Sequence, residues 1–131
     1  FVISQVGRMY QTRNGDRARA MIAEVILRTV LDEGLLERAR VTGLHFLAGL
    51  EDLASRYPAL VTEPRGLGLL LAFDLPAPRT RDDFLKRALD RGVFASYTGT
   101  RSVRLRPHLI TETAHVDDAL SVFAEVLGGL A

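Results

Sequence analysis

The chain has 131 residues, 47% of them hydrophobic and 25% charged, with a formal net charge of +1 and no cysteine. That length suits one domain with a core of its own, and the composition excludes a disordered chain. The charge balance gives no reason to expect nucleic acid or a membrane surface, and the absence of cysteine excludes disulfide scaffolds, thiolate metal sites and cysteine nucleophiles.

The chain opens Phe1-Val2-Ile3-Ser4-Gln5 with no initiator methionine and no basic segment ahead of an apolar core. This end reads as a cut edge and not as a signal peptide, and the expected compartment is the cytoplasm. Residues 1–14 lack sustained periodicity and read as an extended segment. From Arg17 the pattern turns helical: Ala18, Met21, Ile22, Val25, Ile26 and Thr29 recur at spacings of three and four, with Asp16 placed as N-cap. Gly34 interrupts this helix. A second runs to about Arg56 on a stripe of Leu36, Ala39, Leu44, Leu47, Leu50 and Leu53, and Tyr57-Pro58 closes it.

The period then changes. Leu60 to Thr62 and Leu67 to Phe73 are strand-like, joined through Glu63-Pro64-Arg65-Gly66, which has the composition of a turn. The longest apolar stretch, Leu67 to Phe73, is far shorter than a membrane span and is interrupted by Gly68. A third helix is expected from Thr80 or Arg81, burying Phe84, Leu85, Ala88 and Leu89 and ending at Gly92. Val93 to Ser96 and Ser102 to Leu105 predict two more strands. Thr113 is placed as the cap of a last helix whose stripe is Val116, Ala119, Leu120, Phe123 and Val126. The predicted order is ααββαββα: an α+β fold, a small antiparallel sheet with helices on one side.

Groups able to do chemistry are scarce, and neither a catalytic constellation nor a metal site is expected. The histidines, His45, His108 and His115, show no metal-ligand spacing. His45, between Leu44 and Phe46, reads as a partly buried structural histidine, and His108 follows a strand end with no nucleophile to pair it. Gly66-Leu67-Gly68 lacks the third glycine and following helix of a phosphate loop, so close backbone approach in a hairpin explains it better. Asp82-Asp83 and Glu51-Asp52 read as solvated helix carboxylates, and Arg13, Arg17 and Arg19 as a solvated helix start.

The segment Ser102-Val103-Arg104-Leu105-Arg106-Pro107 is different. In a strand, positions 104 and 106 share a face. Two adjacent guanidiniums repel, so something anionic should lie opposite, and the planar fork of arginine suits a carboxylate held by two hydrogen bonds. Either an anionic ligand or glutamates of a neighbouring domain would meet that need.

Residues 102–109, Ser-Val-Arg-Leu-Arg-Pro-His-Leu, resemble the Arg-Phe-Arg-Pro-Pro-Leu segment near the C-terminus of class III pyridoxal-phosphate aminotransferases. The likeness is strongest to the lysine 6-aminotransferase and 4-aminobutyrate aminotransferase branches. Three further segments agree in order. Arg8-Met9-Tyr10-Gln11-Thr12 is similar to the family's segment ending in threonine, and Leu31 to Ala39 to its helix–turn–helix stretch. Pro64 to Asp74 resembles its Arg-Gly-x-Gly-Leu strand.

The resemblance implies the C-terminal small domain of a fold-type I aminotransferase over residues 17–131, with residues 1–16 leading in from a large domain. It also implies transfer of a terminal amino group, of lysine on this likeness, to 2-oxoglutarate. Thr12 would match the threonine that hydrogen-bonds the cofactor phosphate of the partner subunit. Arg104 would match the arginine that grips the α-carboxylate of glutamate or 2-oxoglutarate, with Arg106 a supporting candidate in the same corner. The cofactor would be pyridoxal 5'-phosphate in the complete enzyme. It would not be bound covalently here: the Schiff-base lysine belongs to the large domain, and Lys86, the only lysine, matches no motif. The implied partners are that large domain, a second subunit of a homodimer, 2-oxoglutarate or glutamate and an amine donor.

There are departures from the family pattern. Its Thr-aromatic-Gly-Gly-Asn stretch reads Thr12-Arg13-Asn14-Gly15-Asp16 here, and its Pro-Pro pair reads Pro107-His108. The altered loop leaves room for a second reading, a non-catalytic interaction domain that keeps the fold.

Overall fold

The computed structural model describes residues 16–131; residues 1–15, Thr12 and Arg13 among them, lie outside the described residues. The elements are α1 (Arg17–Asp32), α2 (Leu35–Arg56), β1 (Thr62–Leu67), β2 (Leu70–Asp74), α3 (Pro78–Asp90), β3 (Ser96–Thr98), β4 (Ser102–Leu105) and α4 (Thr113–Gly128). This is the predicted order of types. The chain divides into two units between Glu33 and Gly34.

In the first unit α1 starts where sequence puts it. The Asp16 carboxylate accepts from the Ala18 and Arg19 amides at 3.1 and 3.4 Å, satisfying helix N–H groups that lack intrahelical partners. Arg28 pairs with Glu24 one turn earlier at 2.7 Å. No residue of α1 is buried, and its apolar members Met21, Ile22, Val25 and Ile26 are all more than half exposed.

The second unit is a four-stranded antiparallel sheet in the order β1-β2-β4-β3, with α2, α3 and α4 packed on one face. Alternation along the strands sorts the two faces. Leu71, Phe73, Val103 and Leu105 point into the core; Ala72, Asp74, Ser102 and Arg104 occupy the other face. At the centre of the core, Phe73 meets Phe84 edge-on with ring centroids 5.6 Å apart, and Phe123 closes the cluster at 5.3 Å from Phe84. All three rings are fully buried.

Several boundaries differ from expectation for identifiable reasons. Pro64-Arg65-Gly66 is part of β1, and the hairpin turns at Gly68-Leu69. β1 is an edge strand, where a proline without an N–H does no harm. A register shift between Thr62 and Arg65, with Glu63 at φ 52°, accommodates the irregular stretch. Gly68, at φ 53°, supplies the positive φ that a two-residue hairpin turn demands. Gly43 of α2 lies so close to this turn that a Cβ there would sit 2.2 Å from the Gly68 carbonyl oxygen.

The stripe of α2 is also rotated from the expected one. Leu35, Thr42, Gly43, Phe46, Leu50 and Leu53 are buried, while Leu36 and Leu44 face outward. At about 100° per residue, His45 therefore turns away from Phe46 and is exposed, its Nε2 2.6 Å from Asp117 Oδ1 of α4. It is not a partly buried histidine. α3 begins at Pro78, whose fixed φ suits the first helical turn, and Leu89 is exposed. Gly92, at φ 86°, stands just past its end and donates to the Leu89 carbonyl. β3 lies three residues later than predicted, at Ser96–Thr98. Glu112, one residue before Thr113, occupies the cap of α4, and its amide donates to His115 Nδ1 at 3.2 Å.

Candidate functional site

The strand registers set two rows of side chains across the face of the sheet opposite α2, α3 and α4. Arg65, Ala72, Arg104 and Ser96 form one row, in the order β1, β2, β4, β3. Thr62, Asp74, Ser102 and Thr98 form the next. Two arginines, Arg65 from the first row and Arg101 from the turn before β4, converge on the single carboxylate of Asp74, while Arg104 stands in the first row away from it.

Asp74 is the hub. Its side chain is only 12% exposed, and it accepts from Ser102 Oγ at 2.6 Å, Arg65 Nη2 at 2.9 Å and Arg101 Nε at 3.1 Å. Burial on its own would raise this carboxyl, but the Ser102 hydroxyl and the two guanidiniums outweigh it and hold the group below the usual carboxylate range. Arg65 Nη2 also donates to Ser102 Oγ at 3.0 Å, and its Nη1 donates to the Glu63 carbonyl at 2.7 Å, which ties down the irregular start of β1. Arg65 and Arg101 therefore share one carboxylate partner, which offsets part of their combined charge.

Arg104 differs. Its Nε donates to Ser96 Oγ at 3.1 Å, and no carboxylate lies within ion-pair reach of it among the described residues. Its cross-strand neighbours are Ala72 and Ser96, so neither side of β4 provides the anion that the sequence pattern calls for. Arg106 stands one residue beyond β4 and is exposed. It lines a cleft of about 500 Å³ whose walls include Phe94, His108 and His115 over Phe46 and Phe123.

A buried arginine fastens the turn between β3 and β4. Arg81 of α3, 7% exposed, donates from Nη1 to the Thr100 carbonyl at 2.7 Å and from Nε to Asp82 at 2.8 Å. Its guanidinium also lies 4.8 Å from the centre of the Tyr97 ring. Leu75 reaches the same turn from β2, its amide donating to the Arg101 carbonyl at 3.1 Å. Asp82 and Asp83 pair with Arg81 and Arg87, so they form no acid–base couple.

The Asp74 network and Ser96 are absent from the sequence reading. A lone aspartate ending the apolar run Leu69 to Phe73 is the one hint for Asp74. Arg65 is hidden by its turn-like neighbours, and nothing local distinguishes Ser96. Thr12 lies outside the described residues. No group of three or more metal-ligating side chains occurs among the described residues. None of the described helices is long and apolar enough to cross a membrane.

A family model described as aminotransferase class-III matches residues 2–127. The L-lysine-epsilon aminotransferase of Mycobacterium tuberculosis is 36% identical over 126 residues, covering 96% of this chain and 28% of its own length. The 4-aminobutyrate aminotransferase of Dictyostelium discoideum is 35% identical over 124 residues, covering 95% of this chain and 25% of its own. Among solved structures, lysine aminotransferase from M. tuberculosis in the internal aldimine form superposes with a TM-score of 0.79 at 38% identity, over 81% of this chain and 24% of that one. The chain thus spans only about a quarter of the length of these relatives.

Proposed function

The chain belongs to the class-III aminotransferase family, and from that premise we propose that it is the C-terminal portion of an enzyme moving a terminal amino group, that of lysine, to 2-oxoglutarate. In this reading residues 17–131 are the small domain, residues 1–16 lead in from a large domain, and the complete enzyme works as a cytoplasmic homodimer. The exposed apolar side of α1 supports a partner of that kind, because a helix with no buried residue has its hydrophobic stabilisation still to gain.

The surroundings of Lys86 do not suit a Schiff base with pyridoxal phosphate. Lys86 is exposed on α3, one turn from Asp82 and Asp83, and no aromatic side chain lines the shallow groove it borders. The cofactor is therefore assigned to the large domain, with Thr12 as a phosphate contact reaching it. Arg104 is assigned the α-carboxylate of 2-oxoglutarate or glutamate, and Arg106 the margin of the same corner. One observation carries this assignment: of Arg65, Arg101 and Arg104, only Arg104 is without a carboxylate partner among the described residues.

The test is Arg104→Ala in the complete enzyme, with both half-reactions followed. A hydrogen-bonded charge contact supplies about 1.5–3 kcal/mol. The variant should therefore lose about 10- to 100-fold in kcat/KM for 2-oxoglutarate while the amine-donor half-reaction changes little. Arg104→Lys should recover only part of the loss, since an ammonium cannot form the paired contact. Equal losses in both half-reactions would overturn the assignment.

A further inference from the structure

We propose that Ser96 is a positioning residue for Arg104, and that it dictates which edge of the guanidinium is offered to the substrate carboxylate. The inference rests on the assignment of Arg104 made above.

A serine hydroxyl has one hydrogen to donate and two lone pairs to accept with. Ser96 Oγ donates to the main-chain carbonyl of Arg104 at 3.3 Å and accepts from Arg104 Nε at 3.1 Å. Ser96 and Arg104 are register partners on β3 and β4, so one hydroxyl bridges the backbone and the side chain of the residue directly opposite it. Neither atom of this bridge is charged on the serine side. The arginine is held without being neutralised.

A guanidinium takes a carboxylate in one of two ways, side-on through Nε and one Nη or end-on through both Nη atoms. Ser96 occupies Nε, which blocks the side-on approach and leaves the four Nη hydrogens for an end-on grip. On its other flank Arg104 faces only the methyl group of Ala72, which cannot compete for those hydrogens. β3 is a three-residue edge strand, yet it is not free to move: Arg81 stacks on Tyr97 and holds the Thr100 carbonyl just beyond the strand. The chain of restraint therefore runs from a buried arginine on α3, through β3, to the substrate-facing arginine on β4.

The experiment compares Ser96→Ala, Ser96→Thr and Arg104→Ala in the complete enzyme, with exchange of the Arg104 Nε–H followed by nuclear magnetic resonance in the 131-residue chain. Loss of one neutral hydrogen bond that orders the arginine should raise the KM for 2-oxoglutarate about 3- to 10-fold. The kcat and the amine-donor half-reaction should stay within about twofold, and threonine, which keeps the hydroxyl, should restore the parent KM. In the 131-residue chain, Ser96→Ala should accelerate exchange of the Nε–H with solvent. If Arg104→Ala raises the KM and Ser96→Ala does not, the positioning role is overturned and the carboxylate grip stands. If Arg104→Ala leaves the KM unchanged, the grip falls, and the role of Ser96 falls with it. Unchanged Nε–H exchange in Ser96→Ala would overturn the role of the bridge directly, whatever the kinetics.

Discussion

Gly43→Ala is a sharp test of how the hairpin is seated on α2, because two effects of opposite sign compete at this position. In an exposed helix interior, replacing glycine by alanine gains about 1 kcal/mol through backbone entropy. At Gly43 the added Cβ would lie 2.2 Å from the Gly68 carbonyl oxygen and 2.5 Å from its carbon. These are backbone atoms of a two-residue turn, so no rotamer change relieves the clash, and α2 and the hairpin must separate by roughly 1 Å to reach ordinary contact. Overpacking costs about 1–3 kcal/mol, and with only backbone atoms to take the strain the upper part of that range, about 2–3 kcal/mol, applies, so the net result should be a loss of about 1–2 kcal/mol. For a unit of this size that lowers the midpoint of thermal unfolding by about 5–15 °C, measured by circular dichroism on the 131-residue chain. Gly49→Ala is the control. Its Cβ would meet Leu120 Cδ1 at 2.2 Å, but that atom is the end of a flexible, half-buried side chain that can turn away. A Gly43→Ala chain as stable as the parent, or more stable, would refute the close seating of α2 on the turn.

Two other perturbations address the sheet and the core. Asp74→Asn should cost about 1.5–3 kcal/mol at neutral pH, because it strips the charge from hydrogen bonds to Arg65 and Arg101. The folded carboxyl is held below its unfolded value of about 3.9. Its stabilisation is therefore present above that pH and is lost as the pH falls through the folded value. Urea titrations below about pH 4 should show the parent losing stability faster than Asp74→Asn, and parallel curves would contradict the network. Phe123→Ala removes the ring that closes the Phe73–Phe84 cluster and should cost about 3–5 kcal/mol. A urea midpoint corresponding to a loss below about 1 kcal/mol would mean that the ring is not in a packed core.

The order of elements is legible in the sequence because each helix carries its own period and each end its own stop signal. Asp16, Gly34, Tyr57-Pro58 and Gly92 act through local backbone geometry, and a local pattern reports them. The first hairpin is not legible in the same way. Pro64-Arg65-Gly66 has the composition of a turn, and only its place on the sheet edge lets it be a strand. The real turn, Gly68-Leu69, hides inside an apolar run. The stripe of α2 fails for a related reason: Thr42 and Gly43 are buried because the hairpin approaches them closely, whereas Leu36 and Leu44 match the helical period without a partner. For the candidate site, the Arg104–Arg106 spacing marks the strand from a single segment. The neighbours that decide what Arg104 does come from three other strands and a turn, and no local pattern connects Arg65, Asp74, Ser96 and Arg101.

The uneven neutralisation of that face is what gives the arginine strand a direction. Guanidiniums that were all equally unpaired would make a diffuse positive surface with no preferred seat for an anion. Here the nearly buried carboxylate of Asp74 accepts from Arg65, Arg101 and Ser102 together. That arrangement stabilises the sheet and removes two competing anchors at once. Arg106, past the end of β4, lines the cleft beside the strand end. Arg104 is left with a neutral hydroxyl on one flank and a methyl group on the other. In the proposed reading, a substrate carboxylate arriving at this face meets one arginine whose charge has no carboxylate partner among the described residues. The carboxylate of Asp74 keeps that choice unambiguous, so its removal should do more than destabilise the sheet. It should free Arg65 and Arg101 to compete for the anion and broaden which acids the complete enzyme accepts.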